Sequence, residues 1–284
     1  MKPLYFTPRT RYKLVSLTGS WCALNCKFCN RKYLVNMIHV SPHSFINIVR
    51  ELYASGVRGL LLSGGFRSNG TLPIEPYLDK LRIVKSEFNL IISAHLGLVT
   101  NRDILYCLRG LIDIVDYEFT LSSFIVNYVR GFNFSPERYV ESLVRIIGSG
   151  LRVIPHVYAW HPEINKDIFR EELRVISDFG IEEITLLAYI DPFKTYEPIK
   201  LAKVVESYVE YARRVFPGRI YMGCMRPGYI KSLLDPVLVS RGLVDRVANP
   251  YYKVLREHPG EIYDACCSVQ LDHLVREQFL VRKT

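Results

Sequence analysis

The chain carries three cysteines within eight residues, in the stretch Cys22-Ala23-Leu24-Asn25-Cys26-Lys27-Phe28-Cys29. The C-x3-C-x2-C spacing presents three thiolates from one short loop, directly after the apolar run of residues 13–18. A structural zinc site is closed by four ligands, so three thiolates leave such a site one ligand short. A [4Fe–4S] cluster held by three cysteines keeps one iron open, and the loop therefore favours an iron–sulfur centre with a free coordination position.

Zinc and disulfide bonds are the two alternatives to an iron–sulfur centre. A zinc knuckle would recruit His39, ten residues after Cys29, although structural zinc ligands are usually paired as two short hooks. Disulfides are disfavoured because the seven cysteines are an odd number and the first residues lack the apolar stretch of a secretory signal. We therefore expect a reducing, cytoplasmic location.

The composition is that of an ordinary globular protein with a basic surface. The 284 residues are 49% hydrophobic and 23% charged, and the net charge is +9. The excess of Lys and Arg is spread along the chain, which argues against a nucleic-acid arm and favours an acidic protein partner, an anionic substrate or adaptation to a demanding habitat. No apolar run approaches the ~20 residues that span a bilayer, so we expect no membrane association.

Apolar runs alternate with amphipathic stretches along the chain. The runs predict strands at residues 13–18, 59–63, 89–94, 112–120, 152–159, 183–189 and 219–223, with a weaker eighth at 246–248. The stretches predict helices at residues 41–55, 76–87, 135–147, 166–179 and 199–215. Strands rich in Val, Ile and Leu that alternate with helices indicate an α/β fold, a (βα) TIM-type barrel, closed or partial, with its active site at the carboxyl ends of the strands. We expect residues 1–258 to form the barrel domain and residues 259–284 to form a C-terminal tail over the barrel mouth.

The cysteine motif resembles the signature of the radical S-adenosylmethionine (SAM) enzymes, C-x3-C-x-aromatic-C after the first strand of a barrel, with Phe28 as the aromatic residue. The resemblance implies a [4Fe–4S] cluster on Cys22, Cys26 and Cys29, whose open iron binds the amino and carboxylate groups of SAM. The implied reaction is reductive cleavage of SAM to a 5′-deoxyadenosyl radical, which removes hydrogen from an unactivated carbon.

Ser63 ends the second predicted strand, and Gly64 and Gly65 follow it in a motif that resembles the Gly-Gly-Glu type motif of the same family. In that family the motif contacts the SAM amino group, largely through its backbone. Phe66 stands where the acidic residue often lies. The resemblance thus implies cofactor-binding roles for Phe28 and for this glycine pair with the serine before it.

The third and fourth strands end in further candidate residues. His95 is expected to contact SAM or substrate, the alternative being a hydrogen-bonded core histidine. A carboxylate at the level of Glu118 commonly holds the ribose hydroxyls of SAM in the family. Asp116 shares its strand face by alternation and remains open for the same role.

Cys224, Cys266 and Cys267 form a second set of candidate metal ligands. If the tail folds over the barrel mouth, these three can bind an auxiliary iron–sulfur cluster; the alternative is that they are buried thiols without a metal. Cys107 lies in a helical pattern and is expected to be a small core residue.

The cysteine loop, Met-Gly-Cys-Met-Arg-Pro at residues 222–227 and Cys-Cys-Ser at residues 266–268 together resemble archaeal biotin synthase homologues, including the second component of two-subunit lipoyl synthases. This resemblance implies sulfur insertion into an octanoyl chain on an acidic carrier protein, with a sister radical SAM subunit and an electron donor such as a ferredoxin. The N-terminal auxiliary-cluster motif of single-subunit lipoyl synthases is missing. A radical rearrangement or methylation enzyme and a non-catalytic iron–sulfur scaffold subunit are the rival hypotheses.

Overall fold

The computed structural model describes residues 2–283, with side chains through residue 281. Twelve strands lie in this part of the chain: β1 (Leu4–Phe6), β2 (Tyr12–Ser16), β3 (Ile38–His39), β4 (Gly59–Ser63), β5 (Ile91–Ala94), β6 (Ile114–Glu118), β7 (Val153–Trp160), β8 (Glu183–Ala188), β9 (Arg219–Met222), β10 (Arg246–Ala248), β11 (Glu261–Tyr263) and β12 (Leu280–Lys283). The α-helices of the same part are α1 (Phe45–Ala54), α2 (Leu78–Glu87), α3 (Arg102–Leu108), α4 (Glu137–Gly148), α5 (Lys166–Asp178), α6 (Pro198–Val215), α7 (Lys231–Ser240), α8 (Val254–Glu257) and α9 (His273–Phe279).

The chain divides into two compact units, and the cysteine motif belongs to the first. This N-terminal unit consists of residues 9–118 and 123–153. Its strands are parallel neighbours in the order β6-β5-β4-β2-β3. All five residues of β4, Gly-Leu-Leu-Leu-Ser, are buried, as expected for a parallel strand that is covered on both faces. The carboxyl ends of β2, β4, β5 and β6 therefore lie at one edge of this sheet.

The C-terminal unit contains residues 2–8, 119–122 and 154–283 of the described chain. Its strand order is β12-β11-β1-β10-β9-β8-β7, and β12 is antiparallel to β11. The short strand β1 lies between β10 and β11 and is parallel to both. Residues 259–283, expected as a tail, thus contribute two strands to the sheet of this unit.

Both units repeat a parallel strand followed by a helix, and the expected α/β class with a (βα) TIM-type barrel fold is confirmed. The amphipathic helices bury one face each. In α4, for example, Tyr139, Leu143 and Ile146 are buried at spacings of four and three residues. None of the helices between residues 2 and 283 has both the length and the apolar character needed to span a bilayer.

A fully buried ion pair joins three elements of the C-terminal unit. The side chains of Arg226 and Asp235 are both 0% exposed. The Arg226 guanidinium donates to the two Asp235 carboxylate oxygens, from Nε at 3.0 Å and from Nη2 at 2.8 Å. It also donates to the carbonyl oxygens of Gly223, after β9, and of Ala248, at the end of β10. Arg226 therefore ties the carboxyl ends of β9 and β10 to helix α7.

A buried carboxyl group lies elsewhere in the same unit. Glu172 of α5 accepts hydrogen bonds through Oε1 from the Thr120 hydroxyl at 2.9 Å and from the Leu121 N–H at 2.7 Å. Its Oε2 is buried and has no hydrogen-bond partner among the described residues. Burial raises the pKa of Glu172 to about 8, so the side chain is largely protonated at neutral pH.

The raised pKa of Glu172 predicts that the free energy of unfolding decreases as the pH rises. The Glu172 carboxyl binds its proton more tightly in the folded state. Its contribution to the free energy of unfolding is therefore fully present below the unfolded pKa of about 4.5 and is lost as the pH rises through about 8. We expect the free energy of unfolding, measured by urea titration between pH 5 and 8, to vary less with pH in Glu172→Gln. The neighbouring Glu171, whose side chain is 46% exposed, gives the control: Glu171→Gln should retain the wild-type slope, and an unchanged slope in both variants would contradict the assignment.

Candidate functional site

The cysteine loop (residues 17–33) follows β2 at the carboxyl end of that strand. Its first turn is fixed by Thr18, whose hydroxyl donates at 2.9 Å to the carbonyl oxygen three residues further on. A turn follows the second cysteine, where the N–H groups of Cys29 and Asn30 both donate to the Cys26 carbonyl oxygen, at 3.1 and 2.9 Å. The loop that carries the three cysteines is thus held by its own hydrogen bonds.

The segment after β4 packs directly against the cysteine loop. The Gly65 N–H donates to the Thr18 hydroxyl at 2.6 Å, and the Phe66 N–H donates to Cys22 Sγ at 3.3 Å. A Cβ atom added at Gly65 would stand 1.7 Å from the Trp21 carbonyl oxygen and 2.6 Å from the Cys22 Cβ. Glycine is required here because the two backbones approach more closely than any side chain allows.

Ser63, Gly64 and His95 lie beside this contact. Ser63 ends β4 and is buried, and its Oγ is 3.4 Å from Nδ1 of His95, the first residue after β5. Gly64 has a φ of +151°, and a Cβ there would be 2.9 Å from the Thr18 hydroxyl. The structure therefore brings the predicted glycine pair, Ser63 and Cys22 together in one unit.

Glu118 and Arg130 connect the end of β6 to the second cysteine. Both carboxylate oxygens of Glu118 accept hydrogen bonds from Arg130, the one from Nε at 2.8 Å. The Arg130 Nη1 also donates to Cys26 Sγ at 3.3 Å. The pKa of the Cys26 thiol is raised, because the effect of burial exceeds the opposing effects of the Arg130 charge and hydrogen bond. Arg130 thus supplies a positive charge at a buried sulfur atom.

Phe28, the aromatic residue of the motif, packs beneath the same guanidinium group. Its side chain is buried, and its ring centroid is 5.0 Å from the Arg130 guanidinium carbon. A cation over an aromatic face is held by the ring quadrupole. Phe28 therefore orients Arg130 in this structure, while its expected contact with SAM stays a prediction.

Arg130 could not be found by motif inspection. It directly follows a π-helical turn, Phe124–Val129, whose sequence has no marker for a ligand site. Its partners Glu118 and Cys26 are 12 and 104 residues away along the chain. The one signal in the sequence was a basic residue 12 positions after Glu118, the carboxylate that ends β6.

His39, the ligand that a zinc knuckle would need, has another partner. Its Nε2 lies 2.8 Å from the Leu34 carbonyl oxygen. Between residues 2 and 283, no three His, Cys, Asp or Glu side chains are grouped so that they could hold a metal ion. In a [4Fe–4S] cluster each cysteine binds a different iron, so its thiolates are spread more widely than the ligands of one ion.

The second set of cysteines belongs to the C-terminal unit. Cys224 follows β9 and is exposed, whereas Cys267 is buried. Cys266 Sγ accepts a hydrogen bond from the Ser268 hydroxyl at 3.3 Å. The Cys267 carbonyl oxygen accepts one from Arg246 Nη1 at 2.6 Å. Their ligation of an auxiliary cluster stays a prediction, and the half-buried Cys107 lies on α3.

A cavity of about 270 Å³ lies in the N-terminal unit. Residues after β5 and residues of α4 line it, among them Thr100, Arg138, Glu141 and Arg145. Its lining contains none of the residues that the sequence singled out for SAM or cluster binding.

No family model and no curated protein matches this sequence. Solved structures, however, are similar in fold. Methylornithine synthase (PylB) is 15% identical, with a TM-score of 0.57 over 84% of this chain and 72% of that chain. Streptococcus suis SuiB bound to S-adenosylmethionine is 16% identical, with a TM-score of 0.58 over 81% and 53%. The FeFe-hydrogenase maturase HydG from Carboxydothermus hydrogenoformans is 12% identical, with a TM-score of 0.57 over 87% and 58%.

This chain thus spans between about half and three quarters of the length of these three proteins. Their sequence identities to it, 12 to 16%, are low, and the likeness is one of backbone arrangement. The cysteine loop and the glycine pair therefore lie on a chain that shares the fold of PylB, SuiB and HydG.

Proposed function

We propose that this protein is a radical SAM enzyme in which Cys22, Cys26 and Cys29 hold a [4Fe–4S] cluster. The observation that carries the proposal is the contact between the cysteine loop and the segment after β4, where the Phe66 N–H donates to Cys22 Sγ. The fold likeness to SuiB, whose solved structure is bound to SAM, supports the same assignment. When bound, the cluster supplies the electron that cleaves SAM to methionine and a 5′-deoxyadenosyl radical.

The residues present fit such a cluster. Three thiols come from one loop, and two of their sulfur atoms already accept hydrogen bonds, Cys22 from the Phe66 backbone and Cys26 from Arg130. N–H donors and a neighbouring cation stabilise thiolates, the form that binds iron. Hydrogen bonds to cysteine sulfur also tune the reduction potential of iron–sulfur centres.

The same residues offer groups for the amino acid part of SAM. The glycine pair after β4 lets the backbone approach a ligand closely, and the resemblance assigns it to the SAM amino group. The Arg130 guanidinium, 3.3 Å from Cys26 Sγ, is a cation beside a proposed cluster ligand, and we propose it as a partner for the SAM carboxylate. Glu118 holds Arg130 in place; its expected role at the ribose hydroxyls, and that of His95, stay predictions.

For the substrate, we propose sulfur insertion into an unactivated carbon of a protein-bound octanoyl chain, as in the lipoyl synthases. The support is the sequence resemblance at residues 222–227 and 266–268, together with the exposed Cys224 at the end of β9. In this proposal Cys224, Cys266 and Cys267 hold an auxiliary iron–sulfur cluster. An octanoylated acidic carrier protein and a sister radical SAM subunit are the proposed partners.

The test is anaerobic reconstitution with iron and sulfide, followed by reduction with dithionite and addition of SAM. We expect wild type to form methionine and 5′-deoxyadenosine, and the Cys22→Ala/Cys26→Ala/Cys29→Ala variant to form neither. About eight irons in wild type and about four in this variant are expected for two [4Fe–4S] clusters.

A lower iron count or a failure to cleave SAM would change these assignments. About four irons falling to none would leave one cluster and move the substrate search to rearrangement or methylation. A reduced, fully loaded wild type that does not cleave SAM would overturn the enzyme proposal and favour the scaffold subunit.

A further inference from the structure

The solvent-facing side of the cysteine loop is basic and aromatic. Lys27, Arg31 and Lys32 are exposed, as are Tyr33 and Tyr128, whose exposed fractions are 40% and 57%. We call these five residues the basic face. Lys27 Nζ lies 5.3 Å from the Tyr128 ring centroid, and Lys32 Nζ lies 5.0 Å from that of Tyr33. Each lysine is thus carried beside an exposed aromatic ring.

Two segments of the chain form the basic face, the cysteine loop (residues 17–33) and residues 119–136, and neither contains Asp or Glu. The sequence contains no Asp or Glu before Glu51, although the same stretch contains eight Lys and Arg residues. Residues 119–136, which include Tyr128, contain no Asp or Glu either. The Lys27 N–H donates to the Val129 carbonyl oxygen at 3.0 Å, which joins the two segments. The positive charge of the face is therefore not offset by acidic residues of these segments.

Packed aromatic and charged groups connect the basic face to a cysteine sulfur. The Tyr33 ring centroid is 6.4 Å from that of Phe28, and Phe28 lies under the Arg130 guanidinium. Arg130 in turn donates to Cys26 Sγ at 3.3 Å. A partner seated on Tyr33 and Lys32 would thus lie only a few side chains from a cluster ligand.

We propose that the basic face docks a small acidic protein that delivers single electrons to the centre held by the cysteine loop. The inference rests on the proposed function, in which each SAM cleavage consumes one electron: the donor protein is oxidised by one electron, the sulfonium C–S bond breaks, and methionine leaves. Charge complementarity selects an acidic partner, because opposite surface charges steer association and raise its rate by about 10- to 1000-fold at low salt. The exposed tyrosines suit the centre of such an interface, where aromatic residues are enriched.

The experiment compares two reductants in Lys27→Glu/Lys32→Glu. A plant-type ferredoxin, kept reduced by its reductase and NADPH, serves as the acidic donor protein, and dithionite serves as the small reductant. We expect the ferredoxin-driven rate of SAM cleavage to fall at least about tenfold at low salt. Because Lys27 adjoins Cys26 in the chain, the dithionite-driven rate reports any direct effect of the substitutions on the centre, and it should fall much less than the ferredoxin-driven rate.

A matched control is Lys200→Glu/Lys203→Glu, which makes the same charge change at two exposed positions of α6. This control should retain both rates. Calorimetric titration of wild type with ferredoxin measures docking without turnover, and its affinity should weaken with added salt and with the loop substitutions.

The outcomes separate the docking inference from the proposed function. Ferredoxin-driven rates that are equal in wild type and in Lys27→Glu/Lys32→Glu would overturn the docking surface while leaving SAM cleavage established. So would equal losses with ferredoxin and with dithionite, because the lysines would then act on the centre itself. Failure of wild type to cleave SAM with dithionite would instead overturn the proposed function.

Discussion

Gly65→Ala is expected to reduce SAM cleavage at least about 100-fold, the loss that a displacement of about 1 Å in reacting groups can cause. The added Cβ would lie 1.7 Å from the Trp21 carbonyl oxygen, so the cysteine loop and the segment after β4 must separate. That separation removes the Phe66 N–H from Cys22 Sγ and alters the first ligand of the proposed cluster. Iron content after anaerobic reconstitution and dithionite-driven formation of 5′-deoxyadenosine measure the two effects.

Gly228→Ala is the matched control for this substitution. A Cβ at Gly228 meets no atom within 4 Å, so this variant should bind iron and cleave SAM as wild type does. Wild-type iron content and activity in Gly65→Ala would show that the close contact of the two segments is not needed.

Asp235→Ala is expected to lower the free energy of unfolding by about 3–5 kcal/mol, the usual cost of leaving one member of a buried ion pair without its partner. Arg226 would keep its charge in a site where its side chain is 0% exposed. The Tyr251 N–H, which donates to Asp235 Oδ2 at 2.8 Å, would lose its acceptor as well. Urea unfolding followed by circular dichroism gives the change.

Two further variants distinguish the charge from the packing. Arg226→Met/Asp235→Leu removes both charges and should recover much of the lost stability, since apolar replacements of buried ion pairs are often neutral or stabilising. Asp178→Ala removes the carboxylate of an exposed pair with Arg174 and should change stability little. A loss for Asp235→Ala no larger than that for Asp178→Ala would contradict the role assigned to the buried pair.

The strands could be predicted because most of them are buried runs of Val, Ile and Leu. All eight predicted strands form, and their bounds shift by at most about two residues, as is usual at element ends. Strand β1 was missed because Leu4–Phe6 has only three residues and no repeating pattern. Strand β11 was also missed. It too has only three residues, and it forms by pairing with β1 and not from a hydrophobic run of its own.

The candidate site likewise has residues that the sequence predicted and residues that it did not. Cysteine spacing and a glycine pair are local signals, and the structure places Cys22 and Gly65 in direct contact. The contacts of Arg130, and those of Arg226 in the motif at residues 222–227, could not be predicted, because each residue acts through partners that only the fold brings near. The ribose-binding role that the resemblance implies for Glu118 stays a prediction, and its salt bridge with Arg130 was not predicted.

The position of β1 has a consequence for synthesis of the chain on the ribosome. Leu4–Phe6 pairs with strands β10 and β11, and the Tyr5 hydroxyl donates to the His258 carbonyl oxygen, 253 residues later. During synthesis this segment must therefore wait, unpaired, until β10 and β11 have been translated. The cysteine loop has no such delay, because its own unit is complete at residue 153. Folding of the unit that carries the cysteine loop can thus precede completion of the C-terminal sheet, in which β1 is inserted between two strands that are made much later.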